Sequence, residues 1–428
     1  MKTNSSSSAQ ERLESIVRAI ASKVAAQPLA LRLMSLADRL VLRLVLAGAC
    51  PANNSHIILN SPGSGNIGDQ AMFESFVKNV PGHIVAVVKS PDAYALPEGL
   101  DPDRVSFLVL PNLVYSKGPA HYRDLRQLGQ AIRSAESFSI MGADIMDGGY
   151  GIHSSVVEWN LARTVQDAGI PARVLGFSWN GRAPKEVVRQ ARLAGHSGVR
   201  ILSRDPDSHK RLLDDDIESI VQSSDMVFSF LDDLTIHMPA PAIMNWQNPE
   251  EKLAVVNISG LIGATIDQNV EYEHFLAALE ELGYKCLLLP HVSHSNVNDI
   301  AAIAQLRVES AAARRAIFID TLLSPAEVLS IVKRSEVVVT GRMHLSILAL
   351  LAGRPVIALA TQGKVSGLMR LFDLPDHCVE PTEGFGKRVA RLLVHLEANR
   401  HTVITKVTSN LPTVRRLSQK NFELFESR

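Results

Sequence analysis

From His56 onward the chain alternates short apolar runs with amphipathic stretches, which predicts strands separated by covering helices and hence a mainly parallel sheet. Two such series follow one another. The first predicts strands at His56–Asn60, Ile84–Val88, Val105–Leu110, Ser137–Met141, Ala172–Phe177, Val199–Ser203 and Met226–Phe230. The second predicts Leu253–Ser259, Lys285–Leu289, Ala316–Ile319, Glu336–Thr340 and Pro355–Ala360. Between them stands Met238-Pro239-Ala240-Pro241, whose prolines remove donors and restrict their neighbours, so a linker is expected there. One helix start is well marked in the second series. Ser324 can cap, Pro325 suits the first turn, and Glu327 can reach back to Ser324. The expected division is a helical extension over residues 1–54, one α/β domain over 55–237, a second over 250–395 and a C-terminal segment over 396–428. Ligand-binding loops of open α/β sheets lie at the carboxyl ends of strands, and here the polar and glycine-rich residues concentrate just after the apolar runs.

Upstream of the first strand, residues 1–10 are rich in Ser and Asn, and the helical stretch that follows mixes Leu, Ala and Arg rather than forming a signal-peptide core. The apolar piece Leu40–Cys50 is interrupted by Arg43 and far shorter than the ~20 residues that cross a bilayer. Arg32, Arg39 and Arg43 beside Leu31, Leu33, Leu36 and Leu40 leave two readings, an interfacial helix or packing on the protein's own domain, and the second leads.

Composition narrows the field. The 428 residues carry 44 Lys+Arg against 44 Asp+Glu, so no global field draws the protein to nucleic acid or an acidic membrane, and only local patches could. Cys50, Cys286 and Cys378 stand too far apart for a zinc cluster, a CxxC pair or a disulfide framework, which fits a reducing, cytoplasmic setting.

Candidate chemistry begins at Ser61-Pro62-Gly63-Ser64-Gly65-Asn66-Ile67-Gly68-Asp69, after the first strand. The glycines permit close approach, and the free amides of the following helix suit an anion or a hydroxyl-rich ligand, with Gly65, Asn66 and Asp69 as contacts. The spacing resembles a dinucleotide loop only weakly, because no acid is clearly placed for a ribose, and no Walker lysine follows the glycines. A plain tight turn with Asp69 as helix cap is the structural alternative. Gly142 to Gly151 is a second loop, in which Asp144 and Asp147 can accept from sugar hydroxyls, act as a base, or cap turns. Trp179 and Asn180 stand at another strand end, where Trp179 either stacks on a sugar or covers the core. Arg204 ends the next strand and either grips a phosphate or carboxylate or pairs with Asp205. In the second domain an apolar strand ends at Thr340, Gly341 permits a tight entry, and Arg342 and His344 fall near the first helical turn. That places a cation and an acid–base candidate where helix amides favour an anion, unless Arg342 pairs with an acid and His344 with a carbonyl. His291, with His294 and Asp299 nearby, serves as a phosphate contact or as a loop fastener, and no metal motif accompanies it. Lys364 adds a cation on a polar loop or an ordinary surface lysine.

Taken in order, Gly65-Asn66-Ile67-Gly68-Asp69, Gly142 to Asp147, Ser203-Arg204-Asp205, Pro290-His291 with Asp299, and Thr340-Gly341-Arg342-Met343-His344 resemble the polysaccharide pyruvyltransferase family over approximately His56 to Pro381. The resemblance implies two Rossmann-like domains facing a cleft, similar to the two-domain GT-B glycosyltransferase architecture. The first domain would be the acceptor side and the second the donor side, and the chain end would cross back toward the first. It implies transfer of the pyruvyl unit of phosphoenolpyruvate to hydroxyls of a glycan or lipid-linked sugar in surface polysaccharide synthesis, with release of phosphate. Arg204 and Arg342 would hold the donor's carboxylate and phosphate, and His344 would move the proton, with no metal or other cofactor. Nucleic acid is not an expected partner, whereas peripheral contact with the inner membrane face and a homo-oligomer are compatible with it. Gly142-Ala143-Asp144 departs from the family's glycine run, and Glu336 stands where an Asp is frequent. A nucleotide-sugar glycosyltransferase and a non-catalytic glycan-binding protein are the alternatives, the latter if Arg204, Arg342 and His344 do not converge.

Overall fold

The computed structural model describes residues 28–50, 55–230, 251–263, 266–294, 297–360 and 363–423. The expected linker at Met238–Pro241 lies outside these residues, as do residues 1–27 of the N-terminal extension. Two parallel sheets organise the described chain. The first contains β1 (Ser55–Leu59), β2 (His83–Val88), β3 (Val105–Val109), β4 (Ser137–Met141), β5 (Ala172–Phe177), β6 (Arg200–Ser203) and β7 (Ile220–Gln222), in the order β3-β2-β1-β4-β5-β6-β7. The second contains β8 (Lys252–Val256), β9 (Tyr284–Leu288), β10 (Ile317–Phe318), β11 (Val337–Thr340), β12 (Val356–Leu359) and β13 (Cys378–Val379), in the order β10-β9-β8-β11-β12-β13. Strands β1, β4 and β5 are buried at every position, as expected when helices cover both faces and the strand reads as a continuous apolar run.

Strand order reverses between β1 and β4 in the first sheet and between β8 and β11 in the second. Open sheets leave their ligand crevice at such reversals. The carboxyl end of β1 leads to Asn66 and α2 (Ile67–Asn79), and that of β4 to the Gly142–Gly151 loop and α4 (Ile152–Asp167). In the second sheet, β11 leads through Arg342 into α10 (Met343–Leu351). The two crevices meet, and one apolar core continues from Phe73 and Phe76 of α2 to Leu345 and Leu348 of α10.

One predicted strand is corrected. Met226–Phe230 is not extended: Met226–Ser229 forms a 3-10 turn, and the strand at this sheet edge is β7, six residues earlier. An apolar run by itself does not separate strand from helix. Here Asp225 decides, because its Oδ1 accepts from Val227 N at 3.0 Å and starts the turn.

Two further elements buttress the first sheet. Helix α1 (Pro28–Leu46) buries Leu31, Leu42 and Leu46 against α3 (Pro119–Ile132) and α4. Its buried Asp38 faces His121 Nε2 at 3.1 Å, while His121 Nδ1 faces the Leu113 carbonyl at 2.8 Å. With an acceptor on each nitrogen the ring must donate from both. Burial opposes that charge, but Asp38 and the neighbouring carbonyls outweigh it and raise the ring's proton affinity. The long C-terminal helix α13 (Arg400–Gln419) returns to the first sheet. Ser418 Oγ donates to the Asp225 carbonyl at 2.8 Å, Ser224 Oγ donates to the Val414 carbonyl at 2.7 Å, and Gly176 N donates to Asn421 Oδ1 at 3.0 Å.

Candidate functional site

The glycine loop and the His291 loop are joined by main-chain hydrogen bonds. Ile67 N donates to His291 O at 3.2 Å and Ser293 N donates to Gly65 O at 2.7 Å, with Asn66 bridged to Val292. Gly65 has φ +79°, and a Cβ there would stand 2.2 Å from Ser293 O. Asn66, rather than Asp69, caps α2, its Oδ1 accepting from Gly68 N at 3.0 Å. Amides expected to receive a ligand are thus partly used to join the two halves of the crevice. Gly68 serves the site in another way. A Cβ on it would stand 2.2 Å from His344 Nδ1, so the bare glycine makes room for the imidazole.

Around that ring lie the charged groups of both sheets. Arg204, 2% exposed, donates from Nη1 to Asp225 Oδ2 at 3.0 Å and from Nε to Ser178 Oγ at 2.8 Å. Its partner is Asp225 and not the adjacent Asp205, which accepts from Ser208 N at 2.8 Å and caps α6 (Pro206–Asp214). His344 Nε2 stands 3.6 Å from the same Asp225 oxygen, beyond direct bonding distance, and has no hydrogen-bond partner among the described residues. Burial alone would raise the Asp225 carboxyl, yet His344 and Arg204 hold it down at about 2. Asp225 therefore links an arginine of the first sheet to the histidine of the second.

Arg342 makes a two-pronged pair with Asp299, Nε to Oδ2 at 3.2 Å and Nη2 to Oδ1 at 2.5 Å. Asp299 is fully buried and also accepts from His291 N and Val292 N, each at 3.1 Å, and from Gly260 N at 3.0 Å. It fixes the His291 loop and the arginine together. His291 is buried with neither ring nitrogen partnered among the described residues, and burial, then the charges of His344 and Arg342, push its proton affinity down to about 3. The ring is neutral and keeps an acceptor nitrogen free.

Lys364, which opens α11 (Lys364–Arg370), forms an ion pair with Asp144 across the sheets, and Tyr150 donates to the same carboxylate at 3.0 Å. Burial opposes ionisation of Asp144, but Lys364 and Arg204 bring it to about 2. Asp69 behaves oppositely. Burial raises it to about 6, against the pull of His344, and Asp144 adds to the rise. Asp147 accepts from Gly149 N at 2.8 Å and from Asn180 Nδ2 at 2.9 Å, a closed polar pair beside this cluster, and burial raises its proton affinity.

Trp179 requires a correction. It has no exposure, packs edge-on against Trp159 and Phe177, and donates from Nε1 to Asp215 Oδ2 at 2.7 Å, so it covers the core and presents no face to a sugar. Patterning along the chain also passes over Asp225 and Glu158. Asp225 follows the carboxyl end of β7, but the apolar run places that strand six residues late, so the strand-end rule points past it. Glu158 of α4 is 1% exposed, its Oε2 lacks a partner among the described residues, and burial raises its carboxyl to about 8. No periodicity marks such a residue. Because its folded-state affinity is raised, its contribution to stability is full below about 4.5 and is lost as pH rises through about 8. Glu158→Gln is therefore expected to flatten that decline, gaining about 3–5 kcal/mol over wild type between pH 5 and pH 9 in urea melts at matched salt.

A cavity of about 660 Å³ lies on the glycine loop, lined by Gly63 to Ile67, Gln70, Glu74, Asp92, Ala93, Ala95 to Glu98 and Leu322 to Ala326. The residues of the charged cluster are not among its lining, and its wall has carboxylates but no lysine or arginine among the described residues. The arrangement has two compartments, a cation-and-imidazole cluster at the junction and an uncharged-to-acidic recess beside the glycine loop.

Solved structures with this architecture include UDP-GlcNAc 2-epimerase from Neisseria meningitidis bound to UDP-GlcNAc, with a TM-score of 0.57, 10% identity, and coverage of 87% of this chain and 100% of that one. A glycosyltransferase from Rickettsia africae ESF-5 gives a TM-score of 0.58 at 11% identity, covering 87% and 98%. The wall teichoic acid polymerase TagF gives 0.50 at 14% identity, covering 97% and 96%. At such identities the likeness is one of fold, the two-domain GT-B-like arrangement of Rossmann-like halves about a cleft. No curated protein matches the sequence significantly. The sequence profile of polysaccharide pyruvyl transferases matches residues 66–363, a span that runs from the helix-capping Asn66 past Arg342 and His344 to the loop before Lys364, and the chain belongs to that transferase family.

Proposed function

We propose that the protein transfers the pyruvyl unit of phosphoenolpyruvate to hydroxyls of a glycan or lipid-linked sugar and releases phosphate. The observation that carries this reading is the convergence of Arg204 and His344 on Asp225, with the Arg342–Asp299 pair and the Lys364–Asp144 pair beside them. A small dianion suits a site whose cations are already held in place by carboxylates, because little reorganisation is then left for the moment of binding. Lys364 and Arg342, the more accessible cations, would take the phosphate and carboxylate, while buried Arg204 sets the field on Asp225. His344 would deliver a proton to the terminal enol carbon. The adjacent carbon becomes electrophilic, a sugar hydroxyl adds there, and a second hydroxyl closes the ketal as phosphate departs with its bridging oxygen. Neutral His291 can accept a hydroxyl proton, and the recess beside Gly65 and Asn66, rich in acceptors and lacking cations among its described lining residues, suits an uncharged sugar.

The test incubates the purified chain with phosphoenolpyruvate and a panel of free and lipid-linked glycans, reading inorganic phosphate and product mass together. Coupled phosphate release and a ketal mass gain support the reading. Release of a nucleoside diphosphate from a nucleotide sugar, with phosphoenolpyruvate inert, overturns it in favour of glycosyl transfer. Gly68→Ala is expected to lower turnover by roughly 100-fold and the melting temperature with it, because the added methyl collides with the imidazole and with the His344 Cβ, which can yield only if the start of α10 shifts.

A further inference from the structure

Helix α1 carries two apolar faces. One is the buried seam of Leu31, Leu42 and Leu46, and the other is a stripe of Leu29, Leu33, Leu36, Leu40 and Leu44, each 60–69% exposed. The stripe repeats at three- and four-residue spacing, which places all five leucines on one side of the helix. Leu31, which the sequence pattern groups with this set, belongs to the seam instead. Arg32, Arg39 and Arg43 each precede or follow a stripe leucine by one position and form a row along one edge.

That edge is unbalanced in charge. Arg39 and Arg43 share Asp167 with Arg163, while Arg32 and Arg189 share Glu186, so five arginines meet two carboxylates. Arg163 holds its proton less tightly, first through burial and then through Arg39, with Arg43 and Arg189 adding to the crowding. Arg32 and Arg43 keep more than half of their side chains exposed. We propose that α1 is an interfacial helix that seats the leucine stripe in the headgroup–acyl boundary of an anionic bilayer, with the exposed Arg32 and Arg43 on the lipid phosphates. A second copy of the chain fits less well, since it would bring the same surplus of arginine against this one. Among the described residues no helix is long and apolar enough to span, so the contact is peripheral.

Vesicle flotation of the full chain tests this. Wild type is expected to float with phosphatidylglycerol–phosphatidylcholine vesicles and to stay behind with pure phosphatidylcholine. The triple variant Leu33→Ser/Leu36→Ser/Leu40→Ser should weaken binding at least roughly tenfold, and Arg32→Gln/Arg43→Gln several-fold, with circular dichroism unchanged because all five positions lie on the surface. Wild type that fails to float overturns the proposal. So does binding unaffected by the triple change, or a wild-type dimer that the triple change converts to monomer without any vesicle binding. Single Leu40→Ser, expected to weaken flotation by a smaller factor, decides the matter if the triple variant misfolds.

Discussion

His344→Asn is expected to reduce kcat for pyruvyl transfer by about 100- to 10,000-fold, the range for losing a positioned acid–base group, with a smaller change in KM. The ring rests in the gap left by Gly68, and its Nε2 is not bonded by the described residues around it, so its removal should leave the fold intact. The thermal midpoint should hold, so that the loss is one of chemistry and not of fold. Arg342→Gln is the informative companion, because its loss should raise KM for the donor more than it lowers kcat, whereas a variant at His344 should do the reverse. Activity within about threefold of wild type in His344→Asn would remove the histidine from the chemistry and leave the family assignment standing.

The second large effect concerns stability. Asp225→Asn strips the carboxylate that pairs with Arg204 and leaves a guanidinium that is 2% exposed, for which the expected loss is about 3–5 kcal/mol in denaturant melts. A buried pair that is removed whole behaves differently from one that is halved. Arg204→Met/Asp225→Asn removes the stranded charge and keeps the side-chain oxygen that Val227 N donates to, so it should recover much of the lost stability and none of the activity, and with Arg204→Met alone it closes a double-mutant cycle that gives the coupling. A single Asp225→Asn loss below about 1 kcal/mol would mean that Ser178 and the surrounding dipoles already satisfy the arginine. The sign with pH follows from the depressed carboxyl: the Asp225 contribution is full above 3.8 and disappears as pH falls through about 2, so this part of the fold resists mild acid.

Much of this is legible in the chain itself, for reasons that are mostly local. Strands such as Ala172–Phe177 announce themselves because both faces are covered and the run is nearly all apolar. Ser324, Pro325 and Glu327 spell a helix start within four residues, and the capping box forms accordingly. What stays hidden depends on pairings across the fold. Nothing at Arg204 says that its carboxylate comes from Asp225, 21 positions on, when Asp205 is its neighbour. In the structure Asp205 turns away to cap α6. Trp179 is equally fit, by sequence, for a sugar or a core, and only the position of Trp159 and Asp215 around it decides. The Met226–Phe230 run conceals the pivotal aspartate because three half-buried residues, Ile220–Gln222, carry the strand in its place. The departure at Gly142-Ala143-Asp144 is explained locally as well. Ala143 lies at φ +41°, a conformation that glycine adopts with less strain, while Asp144 supplies the partner for Lys364.

The return of α13 to the first sheet has a consequence for how the protein is made. Once β7 has left the ribosome every strand of that sheet is available, but the segment bearing Asp225 still lacks Ser418 and Asn421, which emerge almost 200 codons later. The N-terminal half can therefore gather its core during synthesis while its reactive corner waits for the last helix. Nascent chains cut short before that helix would keep Arg204 with Asp225 and Ser178 but leave the Asp225 and Ser224 carbonyls and the Gly176 amide without the partners that the helix supplies, a corner open to proteolysis until synthesis ends.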